Sequence, residues 1–273
     1  MADSIRADIR IGIAGCAGRM GRALIRQVYR TDGCVIAGGI EPDGHQAVGQ
    51  DLGALAGLSA LAIPVATDPE ALFNTSDIVI EFSVPEATVV HAGLAAQSGT
   101  GFVAGTTGLD VDEQLQIETA ARCVPIVQAA NFSLGVNLLL ALTTKLSGFL
   151  NEDFDIEVLE MHHRDKIDAP SGTALALGRA AAEGRGVDLD SVSKRGRDGM
   201  TGARKRGDIG FAVLRGGNVA GDHTVVFAAD DEKIELTHRA TDRAIFARGA
   251  VQAALWLSGK PPGLYGMADI LDI

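Results

Sequence analysis

Aromatic residues make up only 4% of the 273-residue chain, although hydrophobic residues reach 47%. Packing therefore has to rest on Ala, Val, Leu, Ile and Gly, the small and branched side chains of helix-covered parallel sheets. Cysteine is scarce too: Cys16, Cys34 and Cys123 lie far apart and form no CxxC pair. That excludes a disulfide framework or a zinc cluster as the organising device and fits a reducing, cytoplasmic compartment. Positive charge is in deficit, with 24 Lys+Arg against 35 Asp+Glu and a net charge of -11. Such a surface repels nucleic acid and anionic membranes, so neither is an expected partner, and any anionic ligand must be held by a local cationic site. Met1 to Arg10 lacks the apolar run of a secretory signal. Ala87 to Leu109 and Cys123 to Thr144 contain no Asp, Glu, Lys or Arg. Both are long enough to span a bilayer, but Ser98-Gly99-Thr100-Gly101 and Asn131, Ser133 and Asn137 interrupt them, so they read as buried soluble elements.

What is present is a regular alternation. Ile9, Ile11 and Ile13 head a short apolar run ending at Gly15, after which Met20, Leu24, Ile25 and Val28 recur at helical spacing. Cys34 to Ile40, Ile78 to Phe82, Phe102 to Ala104 and Ile126 to Gln128 read as further buried strands, with helices near Pro85 to Gln97 and Asp110 to Arg122 between them. This order predicts a right-handed, doubly wound parallel sheet of α/β class. After Asn131 the texture changes to a helix around Gly135 to Leu150 and a strand over Asp155 to Met161. Ile209 to Arg215, His223 to Ala229 and Lys233 to His238 alternate apolar and polar residues, as antiparallel strands covered on one face do, in an open mixed sheet. Thr241-Asp242 caps a last helix, Arg243 to Ser258, and Gly259 and Pro261-Pro262 stop it. The length favours two domains. Lys194 to Gly207 is a glycine-rich loop with six basic residues, mobile in this reading, and either merely solvated or engaged in ligand capture.

Two constellations carry chemistry. The first is Gly15-Cys16-Ala17-Gly18-Arg19-Met20-Gly21 between the first strand and helix, with Glu41 ending the second strand about twenty residues further on. Glycines there let a pyrophosphate approach free backbone N–H groups and the positive helix end, while an acid at that distance accepts from the adenosine ribose. A carboxylate at Glu41 repels a 2′-phosphate, which predicts NADH over NADPH unless a cation compensates, and Arg19 is the nearby candidate. Gly105-Thr106-Thr107-Gly108 follows a later strand at the same sheet edge, where its backbone can reach a nicotinamide.

The second is His162-His163-Arg164-Asp165-Lys166, closely followed by Asp168-Ala169-Pro170-Ser171-Gly172-Thr173. Four potentially cationic side chains at the end of a buried strand are unusual in an acidic chain. Pro170-Ser171-Gly172-Thr173 opens a helix whose first N–H groups can point at a carboxylate, a contribution of only ~0.3–1 kcal/mol without cationic help. A histidine can exchange a proton near neutrality, and a lysine serves as anchor or donor, a pair suited to reduction with protonation. Zinc is the competing reading of His162 and His163, but neighbouring strand residues face opposite sides and no further ligand lies at suitable spacing, so no metal is expected.

Taken together, the glycine loop, Gly105 to Gly108, Ala129-Ala130-Asn131-Phe132-Ser133, Glu160 to Ala174 and Ala254 to Gly259 make the chain resemble the 4-hydroxy-tetrahydrodipicolinate (dihydrodipicolinate) reductase family over nearly its whole length. The resemblance implies hydride transfer from a nicotinamide to a cyclic imine dicarboxylate, giving tetrahydrodipicolinate, in the diaminopimelate route to lysine. By position, His162 is implied as proton donor or acceptor and Lys166 as proton donor, with His163, Gly172 and Thr173 on the substrate. The implied cofactor residues are Gly15, Cys16, Ala17, Gly18, Arg19, Met20, Glu41, Gly105, Thr106, Thr107, Ala129, Ala130, Asn131 and Phe132. The implied architecture is a dinucleotide domain over 1–132, completed by 243–273, with a substrate and oligomerisation domain over 133–242. Closure about Phe132-Ser133 and Asp242-Arg243, and a homotetramer built on the second sheet, are implied as well. Two departures bear on the cofactor: Pro42 follows Glu41 where many members have Arg, and Val84 stands where some have Arg. Both favour NADH. Other readings are a different dehydrogenase on the same scaffold, such as one acting on aspartate, or a nucleotide sensor without turnover.

Overall fold

The computed structural model describes residues 8–273, so most of the N-terminal segment from which absence of a signal was read lies outside the described residues. The chain divides into two compact units. One comprises the described residues through Ser133 together with Ala244–Asp272, and the other is Leu134–Arg243 with the terminal Ile273.

The first unit runs β1 (Ile9–Ala14), α1 (Arg19–Tyr29), β2 (Cys34–Ile40), α2 (Leu52–Leu55), α3 (Pro69–Thr75), β3 (Ile78–Glu81), α4 (Pro85–Ser98), β4 (Gly101–Ala104), α5 (Val111–Ala120) and β5 (Pro125–Gln128). The second contributes α6 (Leu134–Phe149), β6 (Asp155–His162), α7 (Gly172–Arg185), α8 (Leu189–Val192), β7 (Ser193–Lys194), β8 (Ile209–Arg215), β9 (Gly221–Ala228) and β10 (Lys233–Ala240). The chain then returns to the first unit with α9 (Ala244–Leu257), β11 (Gly263–Tyr265) and α10 (Met267–Leu271).

The first sheet has the order β11-β5-β4-β3-β1-β2, and all its pairings are parallel. Its β3 and β4 are buried at every position, as strands covered by helices on both faces must be. The order reverses at β1, between β2 and β3, which is where open α/β sheets leave a crevice at the carboxyl ends of their strands. No helix among the described residues is long and apolar enough to cross a membrane. The uncharged stretch Ala87 to Leu109 breaks into α4, β4 and the loop after it.

The second sheet has the order β10-β9-β6-β8-β7 and is mixed. Its strand pairing differs from the antiparallel one that the alternation of Ile209 to Arg215 predicts. β8 does not join an antiparallel run with β9; it lies parallel to β6, while β9 is antiparallel to both β6 and β10. A parallel neighbour needs a long crossover, and α7 supplies it. Along β6 burial alternates, so that Ile156, Val158, Glu160 and His162 share the buried face. In the basic loop, Arg197 forms a two-pronged pair with Glu157, and Arg204 donates to Asp155, Glu157 and the carbonyls of Ile156 and Asp208. Two of its six cations thus serve to fasten it to β6.

Candidate active site

In the first unit the predicted cofactor residues gather at one edge of the sheet. Gly15 to Met20 follow β1, Glu41 follows β2, Gly105 to Thr107 follow β4, and Ala129 to Phe132 follow β5. Gly15 has a φ of +69°, and a Cβ on Gly21 would stand 2.2 Å from the Gly15 carbonyl oxygen. These two positions need glycine, one for its left-handed backbone and one so that α1 can close on the turn. The loop amides, however, are not the free donors expected. Gly15 and Cys16 donate to the Ile40 carbonyl, Ala17 to Glu41 Oε1 at 2.6 Å, and Gly18 to the Gly15 carbonyl. The loop is tied to β2 before any ligand arrives. Donors for a pyrophosphate are left at Arg19, Met20 and Gly21, the first turn of α1, where a helix has no acceptor of its own.

Glu41 thus serves the loop with its Oε1. Arg19 is exposed, but it is not the sole cation nearby: Arg22 donates from Nε to the Ala17 carbonyl at 2.8 Å. Helical spacing from the loop could have revealed it, since Arg22 sits one turn beyond Gly18. Cys16 is fully buried, and burial with the nearby Glu41 charge pushes its thiol up to about 12. It contributes backbone, not thiol chemistry. Phe132 is buried edge-on against Phe82 at a centroid distance of 5.5 Å, and Asn131 Oδ1 accepts from the Ser133 amide.

In the second unit everything turns on Glu160, a residue to which sequence reading gave no role. Its side chain is fully shielded and accepts from His162 Nδ1 at 2.6 Å, from Arg215 Nη1 and Nη2 at 2.8 and 3.0 Å, and from the Ser171 amide at 3.0 Å. Burial works against its charge, but the Arg215 and His162 hydrogen bonds and the Ser171 amide hold its carboxyl below the ordinary carboxylate range. The signal for this was the spacing: Glu160 and His162, two apart on a strand, share a face. Because a carboxylate only accepts, neutral His162 must carry its proton on Nδ1, which leaves Nε2 bare as the position that can take up a proton. Gly221, lacking a side chain, adjoins that nitrogen.

Ser171 is the N-cap of α7; its Oγ accepts from the Ala174 amide and lies 3.1 Å from His223 Nε2. Gly172 and Thr173 are the first two helical residues, and a Cβ on Gly172 would meet only open space. Lys166 is held by Asp168 at 2.6 Å, which keeps that carboxyl below its ordinary range. Arg215 also donates to the carbonyls of Lys166 and Asp168, so one guanidinium pins both the strand end and the turn after it. Nε2 of His163 lies 3.3 Å from Arg243 Nη2. The structure thus brings His162 to the start of α7, with Lys166 and His163 on the turn between them. Among the described residues no group of three His, Cys, Asp or Glu side chains is placed to hold a metal ion.

Comparison with known proteins agrees over the full length. The family model described as dihydrodipicolinate reductase, N-terminus, matches residues 9–132, and that described as dihydrodipicolinate reductase, C-terminus, matches residues 135–271. The chain belongs to the dihydrodipicolinate reductase family. A 4-hydroxy-tetrahydrodipicolinate reductase of Parvibaculum lavamentivorans is 57% identical over 98% of this chain and 99% of its own length. One from Afipia carboxidovorans is 54% identical over 98% of both chains. A dipicolinate-bound dihydrodipicolinate reductase from Paenisporosarcina sp. TG-14 has the same fold, with a TM-score of 0.78 at 23% identity over 96% of this chain and 98% of its own. The family is one of NAD(P)H-dependent oxidoreductases, and the first unit is its dinucleotide-binding fold.

The His223 ring stands edge-on to His162 at 5.1 Å, and burial, reinforced by that neighbour, pushes its pKa down to about 4. It stays neutral in the fold while an unfolded histidine takes a proton near 6.5. The sign follows: stability linked to His223 is complete above pH 6.5 and falls away as the pH drops towards 4. His223→Gln is expected to shrink the loss of unfolding free energy between pH 7.5 and pH 5, measured by denaturant titration; an unchanged loss would contradict this.

Proposed function

We propose that this protein reduces 4-hydroxy-tetrahydrodipicolinate (dihydrodipicolinate) to tetrahydrodipicolinate with NAD(P)H, as a cytoplasmic homotetramer, and that it prefers NADH. The observation that carries the reading is the Glu160 carboxylate, which ties a proton-exchanging histidine to the N-terminus of a helix in a family of this activity. When bound, the nicotinamide supplies the hydride. The residues of the chain hold the two ligands and move the proton.

Gly172 and Thr173 offer the first amides of α7 to a substrate carboxylate, with His163 and Lys166 adding positive charge or donors. Loss of water from the hydroxylated substrate gives the conjugated imine, and hydride addition to it leaves an electron-rich carbon that needs a proton. Nε2 of His162 or the ammonium of Lys166 delivers it, and Glu160 stabilises the imidazolium whenever His162 is charged. On the cofactor side, Gly15 to Met20 receive the pyrophosphate, chiefly through the first turn of α1, and Glu41 accepts from the adenosine ribose. Gly105, Thr106, Thr107 and Ala129 to Phe132 take the nicotinamide half. Preference for NADH rests on Glu41 followed by Pro42, and on Val84; Arg19 and Arg22 are the cations that oppose it.

The reading is tested by generating the substrate with its upstream synthase and following cofactor oxidation at 340 nm. Oxidation is expected with NADH at an efficiency at least equal to that with NADPH. No oxidation with either refutes the activity, and a tenfold advantage for NADPH refutes the preference.

His162→Gln is expected to lower kcat by roughly 10²–10⁴ with little change in cofactor affinity, the usual scale for a lost acid–base group. Lys166→Ala is expected to raise KM as well as lower kcat. Near-normal turnover of either variant removes that residue from its role.

A further inference from the structure

A second buried carboxylate lies in the first unit, and nothing in the chemistry above uses it. Glu81 ends β3 between Ala14 of β1 and Ala104 of β4, and it is completely buried. Its Oε1 accepts the Ser83 hydroxyl and stands 3.1 Å from Nδ1 of His91, on α4. Its Oε2 and the Nδ1 of His91 are both buried without a hydrogen-bond partner among the described residues. From Ser83 the connection continues: its amide donates to Thr106 Oγ1 at 3.1 Å, and that hydroxyl lies 2.8 Å from Thr88 Oγ1. The Gly105 amide donates to the Glu81 carbonyl at 2.8 Å. Gly105 also has no room for a side chain, because a Cβ would stand 2.2 Å from the Phe82 ring.

Ser83 therefore has a neighbour on either side. A Cβ on Gly15 would stand 4.0 Å from Ser83 Cβ, so the pyrophosphate turn adjoins it, and Thr106 of the loop read as receiving the nicotinamide accepts its amide. An apolar residue would fill the place of Glu81 without the desolvation that a buried carboxylate incurs. Its polar links run to the loops at the ligand-facing edge of the sheet and to the helix behind them. Ser83 itself is exposed, as a group beside a ligand would be.

We propose that Glu81 acts through Ser83 and Thr106 as a positioning device for the nicotinamide half of the cofactor, an inference that rests on the NAD(P)H reading. The carboxylate fixes the Ser83 hydroxyl, the Ser83 amide fixes Thr106, and the Gly105–Thr107 backbone is thereby held at a set distance from the Gly15 turn. Glu81 and Ser83 are positioning residues; they need not touch the reacting atoms.

ADP-ribose separates this from a merely structural role, since it carries the adenosine and pyrophosphate but no nicotinamide. Binding of NADH and of ADP-ribose is measured by calorimetry for the wild type, Ser83→Ala, Glu81→Gln and Glu81→Asp, with kcat alongside. Ser83→Ala and Glu81→Gln are expected to weaken NADH roughly tenfold, the scale of one buried hydrogen bond, and to lower kcat. ADP-ribose affinity stays within about twofold in the same variants, because the α1 contacts are untouched. Glu81→Asp recovers part of the NADH affinity. Ser83→Ala alters an exposed side chain, so it decides the matter even if Glu81→Gln does not fold. Equal loss of both ligands, or no loss of either, would overturn the inference alone. A wild type that binds ADP-ribose and NADH equally would overturn it together with the nicotinamide contacts on which it rests.

Discussion

The Glu160 carboxylate is the constraint from which the geometry of the second unit follows. Four hydrogen bonds converge on it from three separate pieces of chain: the end of β6, the end of β8 and the cap of α7. A charge shielded from water is costly unless it is paired and hydrogen-bonded on all sides, so these pieces have no latitude to move independently. Placing His162 and the α7 N-terminus together is therefore a consequence of solvating one acid inside the protein. The same bonds choose the tautomer of His162, so stability and proton chemistry draw on a single group.

The first unit solves a similar problem with backbone. Ala17 donates to Glu41 and its carbonyl accepts from Arg22, while the amides of Gly15 and Cys16 are tied to β2. Rigid ties of this sort mean that little ordering is left for a ligand to impose, and the first turn of α1 is presented ready to meet an anion. In both units a carboxylate accepts a backbone amide at the approach to a helix: Glu41, just after β2, from Ala17 before α1, and Glu160 of β6 from Ser171 at the cap of α7.

Much of this was legible in the sequence, and the parts that were not have identifiable causes. Strands of the first sheet showed themselves as short apolar runs, because parallel strands are buried on both faces and carry no alternation to be misread. The order α6, β6, α7 was readable from helical spacing and the cap at Ser171. Pairing in the second sheet was not: Ile209 to Arg215 alternates in the same way whether it lies beside β9 or beside β6, and only the crossover through α7 decides. β11, three residues after a double proline, is too short to leave a pattern. In the site, residue types were visible but partners were not. Arg215 is 55 positions from Glu160 and His223 is 52 from Ser171, and a single sequence carries no trace of such contacts. Arg22 lies one residue past the last loop glycine, inside α1, where an arginine reads as ordinary helix surface.

The central claim is that Glu160 fixes the protonation of His162, and 15N spectroscopy of histidine-labelled protein tests it most directly, with His162→Gln supplying the assignment. Neutral His162 should carry its proton on Nδ1 with Nε2 bare, and Glu160→Gln should abolish that preference. A wild-type His162 protonated at Nε2 and bare at Nδ1 would contradict the account.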